Sequence, residues 1–239
     1  LACLSFFWEG LYSPSLKNKK NDMKNVLLSG VNAIMVLAIA LSLEGVQILD
    51  ASLQWFLIGM VGYTMTHRLW FKNTKNYGFL AVFSHELNHA IIGMLCNLKI
   101  TDLQVNKDGS GLVQYIGRTH LNIWFTLAPY CLPTATLVLL LPYGFLEFAY
   151  MNEYLILVGI SYGFYVLTFL EQTRAYQTDL QEIGIRMSYL FILITNVLFI
   201  LVITIIMRTG WEGIWDHMVC GVDLIVVGLK NLLTNNINL

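Results

Sequence analysis

Long apolar runs separated by short polar breaks dominate the chain. A membrane-spanning helix needs about 20 mostly apolar residues, within a range of roughly 17 to 25. Residues 26–43 form such a run without a charge, and 52–66 form a slightly shorter one flanked by Trp55 and Trp70. Residues 77–98 are long enough but contain His85, Glu86, Asn88 and His89. Residues 121–146 are uncharged and carry Pro129, Pro133 and Pro142; 154–170 and 187–207 are also uncharged. A last stretch, 218–229, is short and holds Asp223, which suits an interfacial helix. The pattern predicts an all-α polytopic membrane protein with about six transmembrane helices.

The break after the third run has a different period. Thr101, Leu103 and Val105 alternate with Asp102 and Gln104, Lys107-Asp108-Gly109-Ser110-Gly111 is turn chemistry, and 112–116 is rich in strand formers. Alternation, turn and alternation predict a small β-hairpin.

Composition sharpens the class. Hydrophobic residues make up 56% of the chain and charged residues 12%, against about 25% charged in soluble domains. The net charge of -1 gives no footing for nucleic acid. Cys3, Cys96, Cys131 and Cys220 contain no CxxC-type pair, so neither a cysteine metal site nor a disulfide framework is expected. Lys17, Lys19, Lys20 and Lys24 precede the first run, and His67, Arg68, Lys72 and Lys75 lie between the second and third, whereas 44–50 is acidic. Basic loops stay on the cytosolic side, which puts the N-terminus there and has the third run entering from it. Residues 1–22 differ in character from the rest of the chain and are read as additional to the native protein or disordered. The membrane-embedded domain is then 23–210, with an interfacial segment at 211–239.

The chemistry sits in the third run, as His85-Glu86-Leu87-Asn88-His89. Four residues advance a helix by 1.1 turns, so both imidazoles share a face and can share a metal ion. Glu86 lies next to them, within reach of a water activated there, and can act as general base. Ionisable groups in a membrane span are costly and mark function. Imidazole and carboxylate ligands favour zinc. A catalytic zinc commonly has three protein ligands and one open position. The candidates for the third are Asp179, Glu171, Glu182, Asp223, His120 and His217, and spacing does not choose among them.

The stretch Phe83-Ser84-His85-Glu86-Leu87-Asn88-His89-Ala90, with Gly93 and Asn97-Leu98-Lys99-Ile100 after it, resembles the site-2 protease family of intramembrane zinc metallopeptidases. It is most similar to the short bacterial and plant branch. Asp108-Gly109-Ser110-Gly111 is similar to the turn between two strands that comes after the HExxH helix there, and Leu127-Ala128-Pro129-Tyr130 to the opening of the next helix. The resemblance implies that Thr178-Asp179-Leu180 supplies the third ligand, so that His85, His89 and Asp179 hold zinc and Glu86 is catalytic. It further implies that the hairpin, through Thr101, Leu103 and Val105, holds an extended substrate by main-chain pairing. Two departures stand out. Asn88 occupies the position where the family usually has glycine, and Asp179 is followed by Leu180 instead of glycine. Simple span counting also puts 171–186 on the face opposite the entry of the HExxH helix.

The activity implied is hydrolysis of a peptide bond in a membrane-anchored protein within the lipid bilayer. Three rivals remain at this point: a catalytically silent metal-binding scaffold, a zinc peptidase of another membrane family with Glu171 as ligand, and a small transporter using His85, Glu86 and His89 as a proton relay.

Overall fold

A computed structural model describes residues 29–37, 39, 51–71, 74–106, 110–117, 122–144 and 150–237. After a helical stretch at 29–37 the elements are α1 (Ala51–Thr66), a π-helical turn (His67–Phe71), α2 (Lys75–Leu95), β1 (Lys99–Val105), β2 (Gly111–Ile116), α3 (Asn122–Cys131), α4 (Thr134–Leu140), α5 (Met151–Gln172), α6 (Thr178–Ile183), α7 (Ile185–Thr209) and α8 (Glu212–Ile237). The fold is mostly helical, with one antiparallel strand pair that registers Leu103 with Val113 and Val105 with Gly111. The expected N-terminal segment at 1–22 lies outside the described residues.

Of the six spans the pattern predicts, two or three are established among the described residues. Among the described residues, α5 and α7 are long and apolar enough to cross a bilayer, with mean hydropathies of 1.6 and 3.0. A third is reached if α3 and α4, bent by 76° at the break between them, are taken as one span. α1 has 16 residues and runs on directly into the π-helical turn. α2 has the length, at 21 residues, but its polar cluster lowers its apolar character. Most of the predicted run at 26–43 lies outside the described residues. On α7, Leu190, Leu193, Val197 and Ile200 fall on one exposed face, the arrangement a lipid-facing helix surface has.

Local chemistry sets the ends of α2. Thr74 caps it by accepting from the Tyr77 backbone N–H at 3.3 Å, a cap of the kind that contributes about 1 kcal/mol. Asn97, in the left-handed region at φ 62, ends it, and the Leu98 N–H returns to the Gly93 carbonyl at 2.8 Å. Asparagine tolerates this conformation better than other non-glycine residues.

Three buried clusters hold the bundle among the described residues, and two of them bear on the site. One joins Phe56 of α1, Leu155, Val158, Tyr162 and Tyr165 of α5, and Ile203, Ile206 and Met207 of α7. Its tightest seam is between α1 and α5. A Cβ on Gly59 would stand 2.1 Å from the Ile156 carbonyl oxygen, and one on Gly159 2.0 Å from that of Phe56, so glycine at both positions lets the backbones touch. The other cluster packs Ile123, Leu127 and Tyr130 of α3 against Leu180 of α6 and Phe191 and Ile192 of α7. It ties the short helix α6 to the main bundle.

The direction of α5 corrects the span count. Its C-terminal residue Gln172 donates to the Ala81 carbonyl at 3.2 Å, and the preceding Glu171 accepts from the Tyr77 hydroxyl at 2.7 Å. The end of α5 therefore lies beside the N-terminal half of α2, not at the opposite face. α3 and α4 are bent by 76° at their break, and a segment that turns back on itself there would return the chain to the face it came from. His67, expected in a basic loop, is buried at 1% exposure, with its ring 4.2 Å from that of Tyr77.

Candidate metal centre

α2 places His85 and His89 one turn apart, with ring centroids 5.0 Å from each other. The short helix α6, between α5 and α7, contributes Asp179. Its Oδ2 lies 3.5 Å from His85 Nε2 and 3.6 Å from His89 Nε2. His85, His89 and Asp179 form the one group of three potential metal ligands among the described residues, with ligand atoms all within 4.8 Å of one another. A tetrahedral zinc with bonds of about 2.0–2.1 Å separates its ligand atoms by about 3.3 Å, close to the distances of Asp179 from the two imidazoles. The donor set of two imidazoles and a carboxylate also suits zinc chemically.

Asp179 is held in place by its surroundings. α6 runs from Thr178 to Ile183 and stops at Gly184, whose φ of 96 is one that residues with a side chain rarely adopt. Leu180 is fully buried, and its carbonyl accepts from the Ser188 hydroxyl at 3.0 Å. Tyr130 donates to Asp179 Oδ2 at 3.0 Å. Burial by itself would raise the Asp179 carboxyl, but hydrogen bonding and charge from His85 and His89 outweigh it and hold the group well below the usual carboxylate range.

The prolines of α3 bear directly on the site. Pro129 lies inside the helix and has no N–H to return to the Phe125 carbonyl four residues back. That carbonyl lies 2.9 Å from His89 Nδ1. A carbonyl can only accept, so Nδ1 carries a proton, and Nε2, on the Asp179 side, is the ring atom that would ligate a metal. At the second break, the Tyr130 carbonyl accepts from Asn196 at 2.9 Å and from Tyr165 at 3.1 Å. Asn88, 2% exposed, is satisfied there as well. Its amide donates to the Leu132 carbonyl at 3.1 Å, and the Thr134 hydroxyl donates to its oxygen. The polar side chain of Asn88 thus has partners made available by the broken helix.

A cavity of about 620 Å³ opens over the cluster, lined by His85, Glu86, His89, Asp179, Gln177 and Glu182 together with residues of β2 and α3. Glu86 faces this space, with Gly111 of β2 packed against its carboxylate. The other candidate ligands fall elsewhere. Glu171 is engaged by Tyr77 and lies 3.6 Å from His67 Nε2. Glu182 borders the cavity without joining the group of three. His217 and Asp223 are on α8, and Asp223 lines a separate groove. His120 lies outside the described residues.

The strand expectation changes in one respect. Thr101, Leu103 and Val105 are on β1, whereas the cavity is lined by Ser110, Gly111, Leu112, Val113 and Tyr115 at β2. Both segments read as strands, and sequence alone does not distinguish the one that lines the cavity. Reasoning from sequence also missed Tyr130, Gln172 and the Phe125 carbonyl. Pro129 in a helix interior was a usable signal for a freed carbonyl four residues earlier; nothing local marked Gln172.

Residues 57–205 match the family model described as Peptidase M50B-like. Neither a curated protein nor a solved structure matches the chain.

Proposed function

Since the chain belongs to the Peptidase M50B-like family, we propose that it is a zinc-dependent intramembrane endopeptidase acting on membrane-anchored proteins. The observation that carries this reading is the convergence of His85 Nε2 and His89 Nε2 on Asp179 Oδ2 at 3.5 and 3.6 Å, with Glu86 facing the same cavity.

In this reading His85, His89 and Asp179 would hold zinc, which would supply Lewis acidity when bound. Glu86 accepts the proton of the water as it attacks and delivers it to the departing amide nitrogen. Tyr130 and the Phe125 carbonyl keep Asp179 and His89 oriented, so little rearrangement is needed at the reacting centre. A helical peptide bond is shielded by its own hydrogen bonds, so the substrate must enter extended. β2 pairs with β1 alone among the described residues, which leaves its other edge for a substrate strand. β1, with Thr101, Leu103 and Val105, then backs the edge instead of touching the scissile segment. A silent scaffold has no use for Glu86. A proton relay has none for the convergence of three ligand atoms.

The test is cleavage of single-span peptides, reconstituted with the purified protein in liposomes. Wild type is expected to cleave and to lose activity to a zinc chelator. Glu86→Gln is expected to lose about 10²–10⁴-fold while keeping its zinc. Equal cleavage by both proteins would end the peptidase reading.

A further inference from the structure

His89 is oriented by a backbone carbonyl, and His85 has a side chain in the corresponding place. His85 Nδ1 lies 3.2 Å from the side-chain oxygen of Gln172. The Gln172 amide nitrogen donates to the Ala81 carbonyl at 3.2 Å. A carbonyl accepts and does not donate, so this second bond fixes which end of the amide faces the imidazole: it is Oε1. An oxygen there requires a proton on His85 Nδ1 and leaves Nε2 as the ring atom that would ligate a metal.

The location of Gln172 makes this hold a firm one. It is the last residue of α5, where a helix ordinarily frays. Here the final turn is tied down. Glu171 accepts from the Tyr77 hydroxyl at 2.7 Å, the Thr173 backbone N–H returns to Phe169 at 2.9 Å, and the Thr173 hydroxyl donates to the same carbonyl at 2.6 Å. Tyr77, Ala81 and His85 are spaced by four along α2, so they form one face, and Glu171-Gln172 contacts all three. The dipeptide therefore grips the HExxH helix across two turns.

We propose that Gln172 is a positioning residue for metal binding, its side-chain oxygen holding the Nδ1–H of His85 so that Nε2 points to Asp179 and His89. The proposal rests on the reading that these three residues bind zinc. It assigns Glu171 the task of anchoring the helix end that carries Gln172. Partners of this kind, one bond removed from the metal, typically change affinity by about 10–100-fold when removed.

The experiment is zinc affinity of the detergent-purified full chain, measured by competition with a chromophoric chelator, with the visible spectrum of the cobalt-substituted protein as a second readout. Gln172→Met keeps the length of the side chain and removes the acceptor. Its zinc affinity is expected to fall about 10–100-fold and its cobalt spectrum to shift. Gln172→Glu retains an oxygen at the same reach and is expected to bind within about threefold of wild type. Gln172→Asn, which withdraws the oxygen by one methylene, is expected to match Gln172→Met and replaces it should that variant not fold. Wild-type affinity and spectrum in the Met or Asn variant would overturn the proposal while leaving the metal site standing, as would a Glu variant as weak as the Met variant. A wild-type protein that binds no zinc would overturn the metal-site reading itself, and this proposal with it.

Discussion

Gly111 stands so close to Glu86 that a Cβ added to it would lie 2.4 Å from the carboxylate oxygen and 2.5 Å from Cγ. The first residue of β2 thus defines one wall of the space the carboxylate occupies. Gly111→Ala must displace the Glu86 side chain, since the strand is fixed by its pairing with Val105. Misplacing a catalytic group by about 1 Å can cost about 10²-fold in rate. A loss of that order in peptide cleavage is expected, with zinc content unchanged. Undiminished cleavage would mean that the carboxylate has room to move without consequence, and that Gly111 is a packing residue alone.

Pro129→Ala should separate local stability from metal binding. A proline in a helix interior costs about 3 kcal/mol relative to alanine, so the substitution is expected to raise or preserve the melting temperature. The restored N–H competes with His89 for the Phe125 carbonyl, now 2.9 Å from His89 Nδ1. Zinc affinity is expected to fall about tenfold. Zinc titration beside a thermal melt reads both effects, and unchanged affinity would remove the freed carbonyl from the account.

Asn88 is predicted to matter for stability and not for metal. Asn88→Ala leaves the Thr134 hydroxyl and the Leu132 carbonyl without their present partner. Buried polar groups left unsatisfied cost about 1–3 kcal/mol, although measured side-chain bonds between membrane helices average nearer 0.6 kcal/mol. A lowered melting temperature with one zinc retained per chain is expected. Loss of zinc without loss of stability would assign Asn88 to the metal site instead.

The apolar runs and the HExxH spacing were legible because each is local: a run of sufficient length reads as a helix, and residues four apart share a face. The strand pair was legible for the same reason, through the alternation at 101–105 and the strand formers at 112–116. The number and direction of crossings were not. Pro133 announces a break, but not that the chain bends there by 76° and brings Gln172 back to Ala81. His67, beside Arg68, reads as a loop residue, and its burial depends on α1 and α5 closing around it. Thr178-Asp179-Leu180 carries too little pattern to locate α6. Its place is set by the non-local packing of Leu180 among Ile123, Leu127 and Phe191. Spacing therefore did not separate Glu171 from Asp179, and only the resemblance favoured Asp179; the fold sends Glu171 to Tyr77 and Asp179 to the histidines.

The most direct test of the account is the zinc content of the detergent-purified chain, with wild type measured beside Asp179→Ala and Glu171→Ala. Asp179 Oδ2 is within 3.6 Å of both imidazoles, whereas Glu171 is bound to the Tyr77 hydroxyl. The account predicts about one zinc per wild-type chain, its loss with Asp179→Ala, and its retention with Glu171→Ala. Zinc lost with Glu171→Ala and kept with Asp179→Ala, or absent from every sample after loading, would contradict it.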